Sequence, residues 1–499
     1  MANHSVSTPG LGIPEVEKAH SLGAGFDDPD EGLSDEEKKR IDDRLLFKLD
    51  MRLLPWLSLL FLAGFLDRTN VGNAKIEGLQ EALHMTDGQF NASLSIFFVS
   101  YALFEPLTNI ILKRLGPRVF IPSIMIIWGL IMVLMGFVQN FSGLMAARWF
   151  LGMAEAGLPP GISYYLSCWY RRSELGIRMA IYFSSAALAG SFGGLLAAAI
   201  SKMDGVGDKP GWSWIFILEG LATVILGFLS FRMVVDFPDK ANFLSEDDKR
   251  RVLRRLALDQ QSSAVHQDWD NAFIWASLKD WKTYTSVFIF MGAGGSLYAF
   301  ALFLPTIVEE MGFTASKAQL LTVAPNAVAF FTTVLVGYLG DRTNERGVLN
   351  MACSLIGMTG FCMLIAANNP ASRYAGTFLG AMAIFPCVAN TISWASNNVE
   401  GVYKRGVTLG IMIGWGNLNG IVSANVYRGT DAPNFYLGHG VVLGYLTVCL
   451  LFGSFLQTIL LRVENRKRRN GSRDSWLHGL SPEQINLLGD QRPDFIYVT

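Results

Sequence analysis

Apolar stretches of about 20 residues recur along the chain between short polar breaks, and about 20 residues is what an α-helix needs to cross a hydrocarbon core of about 30 Å. Twelve such stretches are readable, near 54–76, 89–112, 119–138, 143–166, 177–200, 213–235, 284–307, 318–340, 348–367, 374–395, 405–427 and 438–461. The pattern predicts an all-α integral membrane protein with twelve spans. A soluble helical protein cannot present so many uninterrupted apolar runs to water. Composition agrees, since 51% of the residues are hydrophobic and only 17% are charged, against about 25% charged in soluble domains. The 50 glycines and the Ala-Gly-rich run Ser184 to Ala199 suit close helix approach in a bilayer.

The longest polar break divides the spans into two sets of six. The expected organisation is a tail at 1–53, a first bundle at 54–235, a central loop at 236–283, a second bundle at 284–461 and a tail at 462–499. Residues 1–52 hold no apolar core of a signal peptide, so the first span is expected to serve as its own insertion signal. Ser34 before Asp35, Glu36 and Glu37 reads as a capping box ahead of an amphipathic stretch that runs into that span. Ser245 precedes the basic helix Lys249 to Leu256 in the same way, and Ser481-Pro482-Glu483-Gln484 repeats the signal. Residues 1–30 and 464–475 are polar and expected to be disordered. Lys and Arg gather on the cytoplasmic side of short loops. The tails and even-numbered loops hold about 30 of them and the odd-numbered loops about 6, which puts both termini in the cytoplasm. The net charge of −1 adds nothing to that distribution.

The two halves also resemble each other. Gly337-Tyr338-Leu339-Gly340-Asp341-Arg342, with Arg346 and Gly347, lies between spans eight and nine. The loop between spans two and three, Asn109-Ile110-Ile111-Leu112-Lys113-Arg114-Leu115-Gly116-Pro117-Arg118, matches it at an offset of 228 residues. The same offset lays Leu151-Gly152 on Leu379-Gly380, as duplicated halves would. Parallel halves place a substrate site at their interface, near the bilayer midplane.

Gly337-x-Leu339-x-Asp341-Arg342 followed by Arg346 resembles the signature loop of the major facilitator superfamily, and the resemblance covers nearly the whole chain. Within it, Phe65-Leu66-Asp67-Arg68-Thr69-Asn70-Val71-Gly72-Asn73-Ala74 and the stretch Arg148 to Gly157 resemble the anion:cation symporter family. Trp394-x-x-Asn397-Asn398 and Gly416-Asn417-x-x-Gly420 resemble its fungal allantoate permease branch, which includes nicotinate, pantothenate and biotin permeases. The resemblance implies two pseudo-symmetric six-helix bundles, alternating access and symport of a carboxylate with protons. A monomer, multi-pass in the plasma membrane, is expected. The first signature loop departs from the pattern, with Asn109 for the leading glycine and Lys113 for the aspartate. Gly337, Asp341, Arg342, Arg346 and Arg114 are the expected conformational gate. By resemblance, Arg342 acts through Asp341 and the helix ends.

Ionisable residues inside spans are costly and by default mark a pathway or relay. At 1.5 Å per residue, Asp67 and Arg68 lie about 20–22 Å from the cytoplasmic end of span one, and Arg148 enters from the opposite side by about 8 Å, at the same level. Glu155 follows Arg148 by two turns on the same face. The four are expected to line one cavity, the alternative being a fixed ion-pair network that locks spans one and four together. The 228-residue offset maps Asp67, Arg68 and Glu155 onto Gly295, Ser296 and Ala383. The second half therefore offers neutral groups instead: Tyr298, Asn390, Ser393, Trp415, Asn417 and Asn419. We expect the first half to handle charge and the second to recognise the rest of the substrate, although each neutral residue also suits plain interhelical hydrogen bonding.

Arg68 and Arg148 in one cavity favour a carboxylate, which a planar guanidinium pairs bidentately. Burial disfavours a charged carboxylate, so protonation of Glu155 is the expected coupling event, with Asp67 as a second titratable group. By resemblance, a helix-four glutamate carries the proton in similar bacterial sugar-acid carriers. Glu105, beside Pro106 and nearer the cytoplasmic end, reads as gate or structure.

No nucleophile with a base, and no metal constellation, points to an enzyme. The six histidines are His4, His20, His84, His266, His439 and His478, none expected deep in a span. Cys168, Cys353, Cys362, Cys387 and Cys449 lack metal-ligand spacing and read as packing residues. There is no phosphate-binding loop of Walker type. The proton gradient is thus the expected energy source, with no cofactor and no nucleic-acid partner. Nicotinate, pantothenate, allantoate and biotin all fit two arginines and an aromatic wall. An exporter of a metabolite or drug and a non-transporting nutrient sensor are the competing readings.

Overall fold

The computed structural model describes residues 29–30, 32–258, 272–400, 402–477, 479 and 488–499, and among them every regular element is helical. Most of the expected disorder at 1–30 and the cap at Ser481–Gln484 lie outside the described residues.

Spans one to three are Asp35–Ile76, Asp87–Leu115 and Pro117–Met135. Span four is broken into Phe141–Glu155 and Leu158–Ser167, and spans five and six are Arg172–Ile200 and Gly211–Met233. Span seven is Trp281–Glu309, span eight is Ala315–Leu321 with Val323–Thr343, and spans nine and ten are Arg346–Ala366 and Pro370–Asn397. Span eleven is Val402–Asn417 with Asn419–Val426. Span twelve runs from Tyr436 to Arg469 with π-helical turns at Tyr445–Phe452. Among the described residues ten helices are each long and apolar enough to cross a membrane. The helix Asp87–Leu115 and the two pieces of span four complete the twelve.

Local chemistry explains where these helices begin and break. Ser34 accepts from the Glu37 amide while the Glu37 carboxylate accepts from the Ser34 amide at 3.0 Å, a closed capping box. The helix it starts absorbs Pro55 and continues unbroken into the first span. Span four was expected to be continuous and is not. A Cβ at Gly157 would stand 2.7 Å from the Phe120 ring, and Pro159 falls in the first turn of the second piece, where a proline costs no hydrogen bond. Broken spans leave backbone groups that only a protein interior or cavity can satisfy.

Within each half spans three and six, and nine and twelve, pack together. Between the halves, span five lies along span eight, span two along span eleven and span one along span seven. These three contacts form the seam on which the site is built.

Both tails and the central segment share one face, called here the tail face. The helix Glu246–Leu258 starts at Ser245, whose hydroxyl accepts from the Asp248 amide at 3.1 Å. It is tied to the first helix by Lys48–Asp248 at 2.9 Å and to Asp30 by Arg251 at 2.8 Å. Expected disorder at 464–475 is corrected: span twelve extends to Arg469, and Arg473 pairs with Glu464 at 2.7 Å. The run Arg466 to Arg469 suits the negative end of the helix dipole.

Residues 488–499 fold back under the second half. Asp490, fully buried, accepts from Lys282 at 2.6 Å and from Lys404 at 2.8 Å, joining spans seven and eleven. Arg468 donates to the carbonyls of Asp490, Arg492 and Phe495, and Val498 exchanges hydrogen bonds with Asn398 at 2.8 Å. Burial alone would raise the Asp490 carboxyl, but the two lysines more than offset it and hold the group below the ordinary carboxylate range. The stabilisation is therefore complete above about pH 4 and is lost as pH falls through the depressed value. Asp490→Asn leaves the two buried ammonium groups with Asp280 alone, at 3.0 Å from Lys282 and 2.9 Å from Lys404, as their shared anion, and should cost about 3 kcal/mol, the low end for a broken buried pair. A clear drop in thermal midpoint at neutral pH that narrows in acid is the expected result.

Candidate functional site

Asp67 and Arg68 are adjacent on one helix, so their side chains diverge by about 100° and meet different neighbours. Arg68 turns to the seam. Its Nε pairs with Glu155 of span four, and its Nη1 donates to the Tyr298 hydroxyl of span seven at 2.8 Å. That hydroxyl donates in turn to Asn417 Oδ1 of span eleven at 2.8 Å. A single chain of polar contacts thus runs from the first half through Arg68 into the second. The guanidinium also lies over the Tyr101 ring at 4.7 Å, and all of these side chains are buried.

Arg148 stands behind this chain. Its guanidinium lies over the Phe97 ring at 4.8 Å, where Arg68 lies at 5.6 Å, and its Nε donates to the Ser93 carbonyl at 3.3 Å. Arg148 Nη1, Arg68 Nη2 and Glu155 Oε2 are buried without a hydrogen bond. The site thus keeps two donors and one acceptor unspent.

A cavity of about 30 Å³ lies beside Arg68, Tyr101, Tyr298 and Asn417, closed by apolar walls such as Phe65 and Phe290. It has room for about one water, whereas small-molecule pockets run to about 300–1,000 Å³. The conformation is occluded. On the face opposite the tails, Asn425 donates to Ser95 Oγ at 3.0 Å and Ser191 to the Val323 carbonyl at 3.2 Å. A Cβ at Gly72 would come within 2.9 Å of the Leu302 carbonyl, so spans one and seven meet backbone to backbone. On the tail face Asp341 pairs with Arg346 and accepts from the Ile177 amide of span five at 2.6 Å. A larger open cavity of about 790 Å³ on that face, between Glu345, Arg466 and Thr499, contains none of the buried site.

Several expected site residues lie elsewhere. Asp67 faces spans three and six, accepting from Trp128 at 2.9 Å and Thr223 at 3.1 Å. Arg148 does not line the cavity in this conformation. Asn390 joins the Asp341–Arg346 pair instead, accepting from Arg346 Nη1 at 3.1 Å and donating to the Arg346 carbonyl at 2.8 Å. Ser393 is buried with a free hydroxyl and Asn419 accepts from Tyr445 at 2.9 Å, both off the cavity. Trp415 is 54% exposed on the outer surface, because an aromatic in a span reads the same whether it faces lipid or cavity. Glu105 is fully buried, faces Asn417, and neither of its oxygens has a hydrogen bond of good geometry. Arg342 and Arg114 are exposed, and the arginine that pairs with Asp341 is Arg346. A Cβ on Gly337 would overlap Ala180, which explains the glycine at this crossing of spans five and eight. His439, in the first turn of span twelve as expected, is wholly buried beside Tyr427 at 3.0 Å. Of the cysteines, Cys362 is exposed and the other four are buried.

Glu219 was missed. It lies buried in the middle of span six, where the rule that flagged Glu155 applies equally.

Residues 57–424 match the family Major Facilitator Superfamily. An uncharacterised transporter of Schizosaccharomyces pombe is 34% identical over 451 residues, 88% of each chain. The high-affinity nicotinic acid transporter of Saccharomyces cerevisiae is 30% identical over 463 residues, covering 92% of this chain and 85% of that one. Among solved structures, the proton:xylose symporter XylE aligns with a TM-score of 0.63 over 81% of this chain and 94% of its own, at 12% identity, a likeness of fold.

The gate geometry separates two arginines. Arg346→Lys keeps the charge but loses the fork that reaches both Asp341 and Asn390, and should open the tail face. Spin labels at Ser173 and Asn344, on a Cys362→Ser background, should show a longer-distance population in Arg346→Lys and the parental distribution in Arg342→Lys.

Proposed function

This chain belongs to the Major Facilitator Superfamily, an integral multi-pass membrane protein, and on that premise we propose that it carries a small organic carboxylate together with protons by alternating access. The observation that carries the reading is Arg68, held by Glu155 and linked through Tyr298 to Asn417 across the seam.

In the occluded conformation Glu155 occupies the place a substrate carboxylate would take on Arg68. Protonating Glu155 cancels that internal competitor and leaves a buried guanidinium in need of an anion. An incoming carboxylate then pairs with Arg68, while Tyr298 and Asn417 tie it to the second half. Arg148, a second buried cation with a free donor, adds to the positive field around Glu155. After release and loss of the proton the Arg68–Glu155 pair re-forms, and the neutralised empty carrier can return. A ligand shifts such an equilibrium only through its different affinity for the two states, and here the protonation state of Glu155 supplies that difference.

The flat aromatic wall of Phe65, Tyr101 and Phe290 suits a planar ring acid, and the similarity to a nicotinic acid transporter supports the same class. Basic residues gathered on the tail face support a cytoplasmic location for both termini.

Two substitutions test the reading in proteoliposomes supplied with labelled nicotinate. Glu155→Gln removes the titratable group while keeping its size. Accumulation driven by a proton gradient should be lost while exchange of internal for external substrate survives; undiminished accumulation would sink the proposal. Tyr298→Phe removes the hydroxyl that holds Arg68. Half-saturation should then rise roughly tenfold, the loss of about 1–2 kcal/mol that such a bond to a charged group contributes.

A further inference from the structure

A second buried polar cluster lies between spans one, three and six, away from the Arg68 cavity. Asp67 is held by Trp128 and Thr223. One turn along both helices, Asn70 donates its amide to Glu219 Oε2. Asp67, Asn70 and Glu219 are 1%, 0% and 7% exposed. No cation pairs with either carboxyl among the described residues.

Three oxygens in this cluster, Asp67 Oδ1, Asn70 Oδ1 and Glu219 Oε1, are buried with no donor. All three are acceptors, so what the cluster lacks is a donor. Two ionised carboxylates there would place two uncompensated like charges in a low dielectric, which a buried pair avoids by keeping one proton. We propose that Asp67 and Glu219 form a proton-binding site in which the two carboxyls share one proton at neutral pH, distinct from Glu155. Among the described residues no group of three or more His, Cys, Asp or Glu side chains that could hold a metal ion stands here or elsewhere, and the proton fits the two-carboxyl set. The neighbouring charged groups are Arg68, next in the chain, and Glu155 of span four; spans three and six contribute the neutral Trp128 and Thr223. The site does not depend on Glu155 being the coupling group.

Infrared titration of the carboxylic-acid carbonyl band in purified full-length protein tests this without any substrate. In the parent, the pair should titrate in two well-separated steps, as strongly interacting sites do. Glu219→Gln and Asp67→Asn should each leave a single step that lies between the parental two, and Glu155→Gln should leave both pair steps in place. Glu219→Asp, which keeps an acid, should restore two steps and so excludes misfolding as the cause. Single variants that each retain one parental step unmoved would show independent carboxyls and overturn the proposal. So would sodium ions discharging the band at constant pH, which would make this a metal-cation site.

Discussion

A guanidinium buried in a low-dielectric interior must have an anion or give up a large part of its hydration energy, and Arg68 meets that demand with Glu155. Breaking such a pair by removing one partner costs about 3–5 kcal/mol, because a buried charge is left uncompensated. That penalty is what makes the pair useful. In the cycle proposed above, neutralising Glu155 leaves Arg68 in need of another anion. The seam contacts around it, Tyr298 to Arg68 and Tyr298 to Asn417, then make the occupancy of Arg68 felt by both halves.

The halves share an architecture but not a chemistry. The first holds Asp67, Arg68, Arg148, Glu155 and Glu219, all buried, whereas the second presents Tyr298 and Asn417 to the cavity. Charge in the second half is concentrated at its tail-face end, in Arg346 with Asp341 and in Lys282 and Lys404 around Asp490. Residues 488–499 brace that end by joining spans seven, ten, eleven and twelve. At the same end the Asp341–Arg346 pair meets span five through the Ile177 amide.

Much of this was legible in the sequence because the physical signals are local. Apolar runs of membrane length mark the spans, and a charge within such a run is conspicuous, which is how Arg68 and Glu155 come to notice. What escaped depends on rotation and tertiary contact. Asp67 and Arg68 share a depth but not a direction, since neighbouring helical residues diverge by about 100°. Arg148 and Glu155 share a face, yet the Phe97 ring draws the Arg148 guanidinium aside. Arg346 replaces Arg342 at the gate because span nine begins at that residue and turns it inward. Hydropathy cannot tell Trp415 facing outward from Trp415 facing a cavity, and it cannot foresee a polar segment such as 488–499 docking through Asp490.

If a substrate carboxylate and the Glu155 carboxylate compete for Arg68, anion binding takes up a proton. Calorimetric titration of purified protein with nicotinate, in buffers of different ionisation enthalpy near neutral pH, measures that linkage directly. Competition at Arg68 should give heats that depend on the buffer, with uptake approaching one proton per bound anion. Binding whose heat is the same in every buffer would contradict it.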